Sequence, residues 1–244
     1  MRMARFFCDT ISQNSRIVIS DVQFRHLARV LRLKKGDSVE LFDGKGAVAG
    51  AIIEEITKNK AQLKIQTAKV FGPPDKQRII IASSMAKGRR FETVVAACCQ
   101  LGVDRIIPVI FERTVKQAGS LQEHQRLETI AIESAKQCQR LFLPVIDRPS
   151  SLQETIKKLQ TEYPGAKIIF GSLTEDAESV INFNFGPEDC FAFIGPEGGL
   201  TEIEENLLKE IKAKAVRLTD TILRIETAAI AFAAILSAKR NARQ

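Results

Sequence analysis

The sequence of 244 residues predicts an α/β domain preceded by a smaller domain that is rich in β-strands. Positive charge is concentrated at the start: residues 1–72 carry 13 Lys and Arg against 7 Asp and Glu, whereas residues 73–244 carry 23 against 22. The tetrapeptide Gly72-Pro73-Pro74-Asp75 predicts a linker, because proline has no backbone N–H to donate and favours extended chain. Only after this linker do short apolar runs alternate with helical patterns. We therefore predict domains at residues 1–72 and 73–244.

In the first domain, three stretches have the composition of β-strands, and a hairpin turn joins two of them. Val39–Phe42 leads directly into Asp43-Gly44, and glycine supplies the positive φ that a tight hairpin turn requires. Residues 48–56 and 61–70 continue the strand pattern. An ordinary soluble surface does not need the excess of basic residues found here, so we interpret this domain as a module that binds a polyanion.

One helix is predicted within this domain, and it begins at Ser20–Gln23, which has the form of a capping box. Apolar residues recur on one face of this helix, namely Phe24, Leu27, Ala28 and Leu31. Arginines recur at the same spacing on another face, namely Arg25, Arg29 and Arg32. Because these charges share one sign and no acidic residue lies between them, they favour a contact with nucleic acid over an ordinary solvated face.

The second domain contains short, continuous apolar runs, which are typical of strands covered on both faces of a parallel sheet. They lie at residues 79–82, 106–110, 168–170, 191–194 and 215–218. Between them, amphipathic patterns over 91–101 and 127–138 predict helices whose apolar faces, cysteines included, belong to the core. This alternation of strands and helices predicts an α/β fold.

Several classes of protein and site are excluded by what the sequence lacks. The five cysteines form no CxxC pair and there are two histidines, so we expect neither a metal site nor disulfides, and we expect a cytoplasmic location. No signal peptide is evident, and the longest apolar run, Ala228–Leu236, is too short to span a membrane. Gly44–Ala49 matches a dinucleotide-binding pattern, but it lies in a hairpin without the helix that this motif requires.

The GPEGG loop, Gly195–Gly199, lies between a buried strand and the capping box Thr201–Glu204. Glycines allow backbone to approach a ligand closely, and α/β sheets bind ligands at the carboxyl ends of their strands. A tight turn without a ligand explains the loop equally well. A second strand-to-helix segment, Leu218–Ala228, could line the same pocket. It places Arg224 and Glu226 at the entrance of an apolar helix, where they are either catalytic groups or a local ion pair with a helix cap.

Short segments occur along the whole chain, and their combined order and spacing is characteristic, although each segment alone is a weak signal. These segments are Arg5-Phe6-Phe7, His26-Leu27, Phe42-Asp43-Gly44, Lys87-Gly88, Leu101-Gly102-Val103, Arg113, Arg140, the GPEGG loop, Ile222-Leu223-Arg224 and Glu226-Thr227-Ala228. On these residues the chain resembles the SPOUT superfamily of knotted methyltransferases. Within that superfamily it is similar to the bacterial enzymes that methylate N3 of a uridine in the decoding region of 16S ribosomal RNA.

The resemblance implies a PUA-like β-barrel that binds RNA, followed by an α/β domain with a deep trefoil knot. It also implies S-adenosylmethionine as the methyl donor, 16S rRNA in the small ribosomal subunit as the partner, and a homodimer. The residues implied for the cofactor are Phe170, Gly171, Ile194, Gly195, Pro196, Glu197, Gly198, Gly199, Leu218, Thr219, Ile222 and Leu223. Those implied for RNA are Arg5, Arg25, His26, Arg29, Arg32 and Arg140. Arg224, as a group that stabilises the uridine anion, and Glu226, as a base, are the candidates for catalysis.

The chain departs from the family pattern at positions that bear on the pocket and on the loop before Arg140. Thr219 and Thr221 stand where the family has Gly and Arg, and Gln139 stands where Gly is common. If residue 219 requires a positive φ, threonine strains the backbone there. These departures keep open a non-catalytic RNA-binding or ribosome-assembly factor whose cofactor pocket has decayed. A SPOUT enzyme that acts on transfer RNA is a further alternative.

Overall fold

The computed structural model describes residues 3–115 and 119–243, and the chain forms two compact units. The first unit comprises residues 1–74 together with 135–143, and the second comprises 75–134 and 144–244. The observed break follows residue 74 rather than residue 72. Residues 135–143 join the first unit, although the sequence pattern assigns them to the second domain.

The first unit is built on a sheet whose strands are β1 Arg5–Phe7, β2 Arg16–Ser20, β3 Ser38–Phe42, β4 Ala47–Ile56 and β5 Lys60–Val70. In the described part of this unit, the strand order is β1-β3-β4-β5-β2. β3, β4, β5 and β2 pair antiparallel in succession, and β1 adds parallel to β3. The predicted hairpin is confirmed: Asp43 accepts hydrogen bonds from two backbone N–H groups of the turn, and Gly44 has a φ of +71°.

The predicted helix of the first unit is shorter and less regular than its sequence pattern indicates. α1 covers Asp21–Arg25 and continues as a π-helical segment, His26–Val30. Phe24 and Leu27 are buried in the core of this unit, as their spacing predicts. Leu31, in contrast, is exposed just after the segment ends. The apolar stripe therefore ends at Ala28, three residues earlier than predicted.

The predicted capping box at the start of α1 is wrong. Ser20 makes no capping hydrogen bond, and its hydroxyl instead donates to the Asp21 carboxylate. The amide side chain of Gln23 pairs with the N–H and the C=O of Phe7 on β1. The Gln23 side chain, which the local pattern assigns to the N-terminus of the helix, therefore forms its hydrogen bonds with the backbone of β1 instead.

The arginines predicted to share one helical face are all exposed, but they do not lie on one regular helix. Arg25 ends α1, Arg29 lies in the π-helical segment, and Arg32 follows that segment with a φ of +53°. π-helical turns and left-handed residues advance the chain differently from an α-helix, so the single regular α-helix that the sequence pattern predicts is not formed. The three cations are exposed, and a common face for them stays a prediction.

The second unit contains a sheet whose strands are β6 Ile79–Ser84, β7 Arg105–Ile110, β8 Val145–Ile146, β9 Ser150–Ser151, β10 Lys167–Gly171, β11 Glu178–Ser179, β12 Cys190–Ile194 and β13 Lys214–Arg217. Within the described residues, the order is β11-β13-β10-β12-β6-β7-β8, β9 also pairs with β7, and all pairs are parallel. Each of the five predicted apolar runs forms a strand, which confirms them. The two-residue strands are too short to leave a pattern in the sequence.

The longer helices of the described chain are α2 Arg90–Gln100, α3 Leu121–Cys138, α4 Leu152–Glu162, α5 Glu202–Glu210 and α6 Ile225–Asn241. In the second unit, apolar side chains of the sheet, such as Ile80 and Phe193, are fully buried against residues such as Leu159 and Leu208 of the helices. Burial of both faces of the sheet explains why its strands read as continuous apolar runs. No helix in residues 3–115 and 119–243 combines the length and the apolar character needed to cross a membrane.

Candidate functional site

Three adjacent parallel strands, β13, β10 and β12, end on the same side of the sheet, and the loops that follow them line one cavity of about 450 Å³. The lining segments are Gly171–Thr174 after β10, Ile194–Leu200 after β12, and Leu218, Thr219 and Thr221–Leu223 after β13. Glu205 of α5, Val216 of β13, and Ala228 and Phe232 of α6 complete the wall. The carboxyl ends of parallel strands are the edge at which α/β sheets bind ligands.

All but one of the residues predicted to bind a cofactor line this cavity. Phe170 is the exception: it is 1% exposed and belongs to the core of the second unit. Successive side chains of a strand point to opposite faces, so the next residue, Gly171, borders the cavity instead. A Cβ at residue 171 would approach the ring of Phe232 to 3.3 Å, which explains a glycine there. Phe170 is therefore a core residue, which corrects its predicted place in the pocket.

The GPEGG loop has conformational requirements that explain two of its glycines. Gly199 has a φ of +76°, and its N–H closes a turn by donating to the carbonyl of Pro196 at 2.9 Å. A Cβ on Gly195 would come within 3.0 Å of the Leu200 side chain. The loop is thus a compact turn, and all five of its residues line the cavity.

Contacts with the segment after β7 hold this loop in place. The predicted capping box of Thr201 and Glu204 is confirmed, and the Glu204 carboxylate is buried. Its second oxygen accepts a hydrogen bond from the N–H of Glu112 at 2.8 Å. Arg113 donates from Nη1 to the carbonyl of Gly198 at 2.7 Å. The sequence pattern does not reveal these contacts, because the partners lie 92 and 85 residues apart.

Two threonines give the segment after β13 a turn of its own. Thr219 is not among the residues with a positive φ, so the backbone strain expected at this position is absent. Its hydroxyl accepts a hydrogen bond from the N–H of Thr221 at 3.2 Å and donates to the C=O of Thr221 at 3.0 Å. The departures from the family pattern therefore form a hydrogen-bonded turn that lines the cavity.

A second, more open cavity of about 510 Å³ lies beside the first. It is lined by Arg90, Glu197, Ile222, Leu223 and Arg224, and it shares the middle three of these residues with the first cavity. Arg224 precedes α6 as its N-cap and is exposed, and its side chain makes no hydrogen bond or ion pair within the described residues. The shared wall makes the two cavities neighbours within one site.

Arg90, at the start of α2, lies between two carboxylates at this site. Its Nη1 donates to Oε1 of Glu197 at 2.9 Å and lies 3.9 Å from Oε2 of Glu226. Its Nε donates to the carbonyl of Lys87 at 3.3 Å. The sequence pattern gives no sign of this role of Arg90, because Glu197 lies 107 residues away along the chain.

Glu226, predicted as a base, lines neither cavity. Its side chain is 15% exposed, and its Oε2 is buried without a hydrogen-bond partner in the part of the chain that the structure describes. Its neighbour of opposite charge is Arg90. The arrangement therefore places Glu226 behind Arg90, where it can orient the guanidinium more readily than it can contact a ligand.

The residues predicted to bind RNA belong to the first unit, and their exposure divides them. Arg5 is buried: its guanidinium pairs with Glu40 at 2.8 Å, lies 4.0 Å from the ring centre of Phe42 and donates to the carbonyl of Ala135. Its predicted contact with RNA is therefore corrected to a structural role. His26 and Arg140 are half-buried, and Arg25, Arg29 and Arg32 are exposed.

Two cysteines of the described chain, Cys8 and Cys190, have thiols with a raised pKa. Burial, together with the charges of Asp43 and Asp9, raises the pKa of the Cys8 thiol to about 12. Burial also raises the pKa of Cys190. Because the thiolate is the nucleophile, such thiols are inert near neutral pH. Residues 3–115 and 119–243 contain no cluster of His, Cys, Asp or Glu that could hold a metal ion.

Two family models match this chain. An RNA methyltransferase domain matches residues 73–237, and an RNA methyltransferase PUA domain matches residues 19–66. Among curated relatives, ribosomal RNA small subunit methyltransferase E of Rickettsia conorii is 29% identical over 236 residues, which cover 94% of this chain and 93% of that protein. The protein of the same name from Bacillus subtilis is 24% identical and covers 93% of each chain.

Solved structures resemble the whole chain. A methyltransferase of Legionella pneumophila in complex with the bound cofactor SAM has a TM-score of 0.88 at 26% identity, with 98% of each chain covered. Ribosomal RNA small subunit methyltransferase E of Neisseria gonorrhoeae, bound to S-adenosyl methionine, has a TM-score of 0.84 at 29% identity, again over 98% of each chain. The predicted α/β fold with a preceding PUA-like domain is confirmed, while the trefoil knot stays a prediction. With two thirds of its length matching that domain, this chain belongs to the RNA methyltransferase domain family.

Proposed function

We propose that this chain transfers a methyl group from S-adenosylmethionine to N3 of a uridine in the decoding region of 16S ribosomal RNA. The observation that carries the proposal is the cavity formed by three strand-end loops, with a second cavity beside it that contains Arg90 and Arg224. A donor and an acceptor can lie next to each other in such a pair of cavities. The relatives named for small-subunit ribosomal RNA supply the class of acceptor.

The residues present fit S-adenosylmethionine. A cavity of about 450 Å³ is within the usual range for a small-molecule site. Glycines at 171, 195 and 199 let backbone approach a ligand, while Ile194, Leu218 and Leu223 offer apolar walls to an adenine ring. When bound, this cofactor supplies an electrophilic methyl group on a sulfonium. The chain supplies position, which is a large part of catalysis when two reactants must meet in line.

The chain must also favour loss of the N3 proton. We propose that Arg224 stabilises the uridine anion that forms, because its guanidinium is exposed at the second cavity and has no described partner. The placement of Glu226 beside Arg90 supports a role in orienting that arginine rather than the predicted role of base. A target base in RNA reaches such a site when it is unpaired or flipped out.

The first domain, which we propose to span residues 1–72, would hold the RNA substrate. Its net charge of +6 and the exposed Arg25, Arg29 and Arg32 support contacts with phosphates. We further propose that the protein acts in the cytoplasm as a homodimer, on 16S rRNA within the small ribosomal subunit, and without a metal ion.

The proposal is tested by mapping methylated nucleotides in ribosomal RNA from a strain that lacks this protein. We expect one uridine of the 16S rRNA to lose its N3 methyl group, and the purified protein with S-adenosylmethionine to restore it on isolated small subunits. Unchanged methylation of the 16S rRNA would overturn the proposal. Loss of a methyl group from transfer RNA instead would establish the alternative substrate.

The cofactor site itself predicts a binding defect for Gly199→Val. A β-branched residue at a φ of +76° strains the backbone, so the loop that lines the cavity must move. We expect the dissociation constant for S-adenosylmethionine, measured by calorimetry, to rise at least about tenfold.

Gly165→Val is the matched control for this binding measurement. Gly165 has a φ of +87° and open space around its Cβ position, and it lies in the turn between α4 and β10, away from the cavity. The backbone strain is comparable, so this variant is expected to bind S-adenosylmethionine within about twofold of wild type. Equal weakening in both variants would show that general destabilisation, and not the pocket, causes the defect.

A further inference from the structure

We propose that the second cavity recognises the acceptor base, and that Arg90, Glu197 and Arg224 read the imide edge of uracil. This inference rests on the proposed function and adds to it the groups that select the base. The three residues line one cavity, which shares Glu197, Ile222 and Leu223 with the proposed cofactor cavity. A base bound there would lie beside the methyl donor.

The chemistry of the lining matches one base edge. The imide edge of uracil presents a carbonyl oxygen, the N3–H donor and a second carbonyl oxygen. A guanidinium only donates hydrogen bonds, and an ionised carboxylate only accepts them. Two arginines and one glutamate therefore supply the donor, acceptor and donor groups that this edge requires. Charge assistance strengthens each of these hydrogen bonds.

The same lining disfavours cytosine. Cytosine presents an amino donor where uracil has a carbonyl, and a lone pair at N3 where uracil has a proton. The amino group would face a guanidinium, so that two hydrogen-bond donors would meet. The N3 lone pair would face the Glu197 carboxylate, so that two acceptors would meet. The cavity therefore selects uracil both by attraction and by repulsion of the nearest competitor.

Contacts of its Nε and Nη1 groups hold the Arg90 guanidinium in place for this task. Nε donates to the carbonyl of Lys87, and Nη1 is shared between Glu197 at 2.9 Å and Glu226 at 3.9 Å. None of these described contacts uses Nη2. Glu226, which is largely buried and lines neither cavity of the site, is thus a positioning residue for the Arg90 guanidinium. A fixed guanidinium loses less side-chain entropy when a carbonyl binds to it.

Glu197 has a second consequence for the reaction. When the N3–H bond breaks, the proton moves to the Glu197 carboxylate, and the electron pair stays on the imide, whose charge spreads to the two carbonyl oxygens. Those oxygens face Arg90 and Arg224, which stabilise the charge. The Glu197 side chain is 49% exposed, so the protonated carboxyl can return its proton to water.

The inference is tested with uridine and cytidine 5′-monophosphates as probes. Their binding is compared by saturation-transfer NMR in the presence of S-adenosylhomocysteine, so that no reaction takes place. We expect wild-type protein to prefer the uridine nucleotide by about tenfold, and Arg90→Ala to abolish the preference. Arg90→Lys keeps the positive charge but lacks the planar set of donors of a guanidinium, so this variant is expected to retain part of the preference for uridine. Wild-type protein that shows no preference, or no binding of either nucleotide, overturns the inference.

Arg89→Ala is the matched control, because Arg89 is the neighbouring arginine, is exposed, and lines neither cavity. The Arg89→Ala variant is expected to keep the preference for uracil. Loss of that preference in Arg89→Ala would contradict the proposal that Arg90 recognises the base. Calorimetry with S-adenosylmethionine distinguishes failure of this inference from failure of the proposed function. Wild-type protein that binds the cofactor and methylates 16S rRNA without preferring the uridine nucleotide refutes this inference alone, whereas failure to bind the cofactor refutes the proposed function.

The proposed proton transfer has its own readout in the pH dependence of kcat. Glu197→Gln keeps the shape of the side chain but cannot accept a proton, so we expect kcat to fall and the rate to rise with pH until the imide ionises by itself. An unchanged pH profile in this variant shows that Glu197 does not accept the proton. Circular dichroism that matches wild type establishes that each variant is folded.

Discussion

Replacing Arg240 by methionine is expected to lower the free energy of unfolding of the second unit by about 3 kcal/mol. Arg240 is 4% exposed near the end of α6, and its guanidinium donates to Asp104 at 2.8 Å and to the carbonyls of Gly102 and Gln77. Methionine fills similar space but leaves these acceptors without their cation. The estimate lies at the low end for a broken buried ion pair, because the Asp104 side chain is 23% exposed and retains access to water.

Unfolding of the second unit can be measured separately from that of the first, because the two units differ in tyrosine content. The chain has a single tyrosine and no tryptophan, and Tyr163 is buried in the second unit, so tyrosine fluorescence during urea unfolding reports on that unit. Arg243→Met, which removes an exposed arginine three residues further on, is expected to change stability by less than about 0.5 kcal/mol.

A double mutant separates the ion pair from the packing of Arg240. Adding Asp104→Asn to Arg240→Met should cost less than the sum of the two single changes, because the second change removes the carboxylate that the first leaves unpaired. Strict additivity would show that the pair contributes nothing and that lost packing explains the effect.

The sequence predicts those parts of the fold that depend on local composition. Apolar runs predict all five longer strands of the second unit, because a strand buried on both faces has no room for polar residues. Thr201 and Glu204 predict a helix start that depends on contacts within one turn. The same rule fails at Ser20 and Gln23, where a partner on β1 competes for the amide.

Charged residues show why the site is harder to predict than the fold. The role of a charge depends on the partner that the fold brings to it, and neither Arg90 nor Arg113 has its partner nearby in sequence. Arg5 shows the opposite error: the family resemblance implies a contact with RNA, yet Arg5 is buried beside Glu40 and the Phe42 ring. The strand-end loops could be assigned to one pocket because parallel strands end together.

The departures from the family pattern have different physical meanings. Gln139 adopts a φ of +60°, so the glycine that is common at this position has a conformational reason, and glutamine carries a small backbone strain. Thr219, where the same strain was expected, has none and is hydrogen-bonded to Thr221. The decayed pocket that these threonines suggested is therefore not supported by the backbone of this segment.

Arg224→Ala is expected to lower kcat for methyl transfer by about 10²–10³-fold, the loss that follows removal of a group that stabilises a developing anion. Arg224 is exposed and its side chain makes no described hydrogen bond or ion pair, so alanine leaves the fold intact and the effect falls on the reaction. Binding of S-adenosylmethionine should change by less than about threefold, since the Arg224 side chain borders the second cavity and not the first. Steady-state assays on small subunits from the deletion strain give kcat and KM, and single-turnover assays give the rate constant of methyl transfer free of product release.

Arg224→Lys and Arg148→Ala complete this experiment. Lysine retains a positive charge that can still reach the anion, so its rate should lie between those of wild type and the alanine variant. Arg148 is an exposed arginine of the same unit that borders neither cavity of the site, and Arg148→Ala should keep wild-type kcat. A normal kcat with a raised KM for the subunit in Arg224→Ala would mean that Arg224 binds RNA without stabilising the transition state. Rates in the order wild type, Arg224→Lys, Arg224→Ala would instead show that the positive charge beside the base, and not only the shape of the pocket, accelerates methyl transfer.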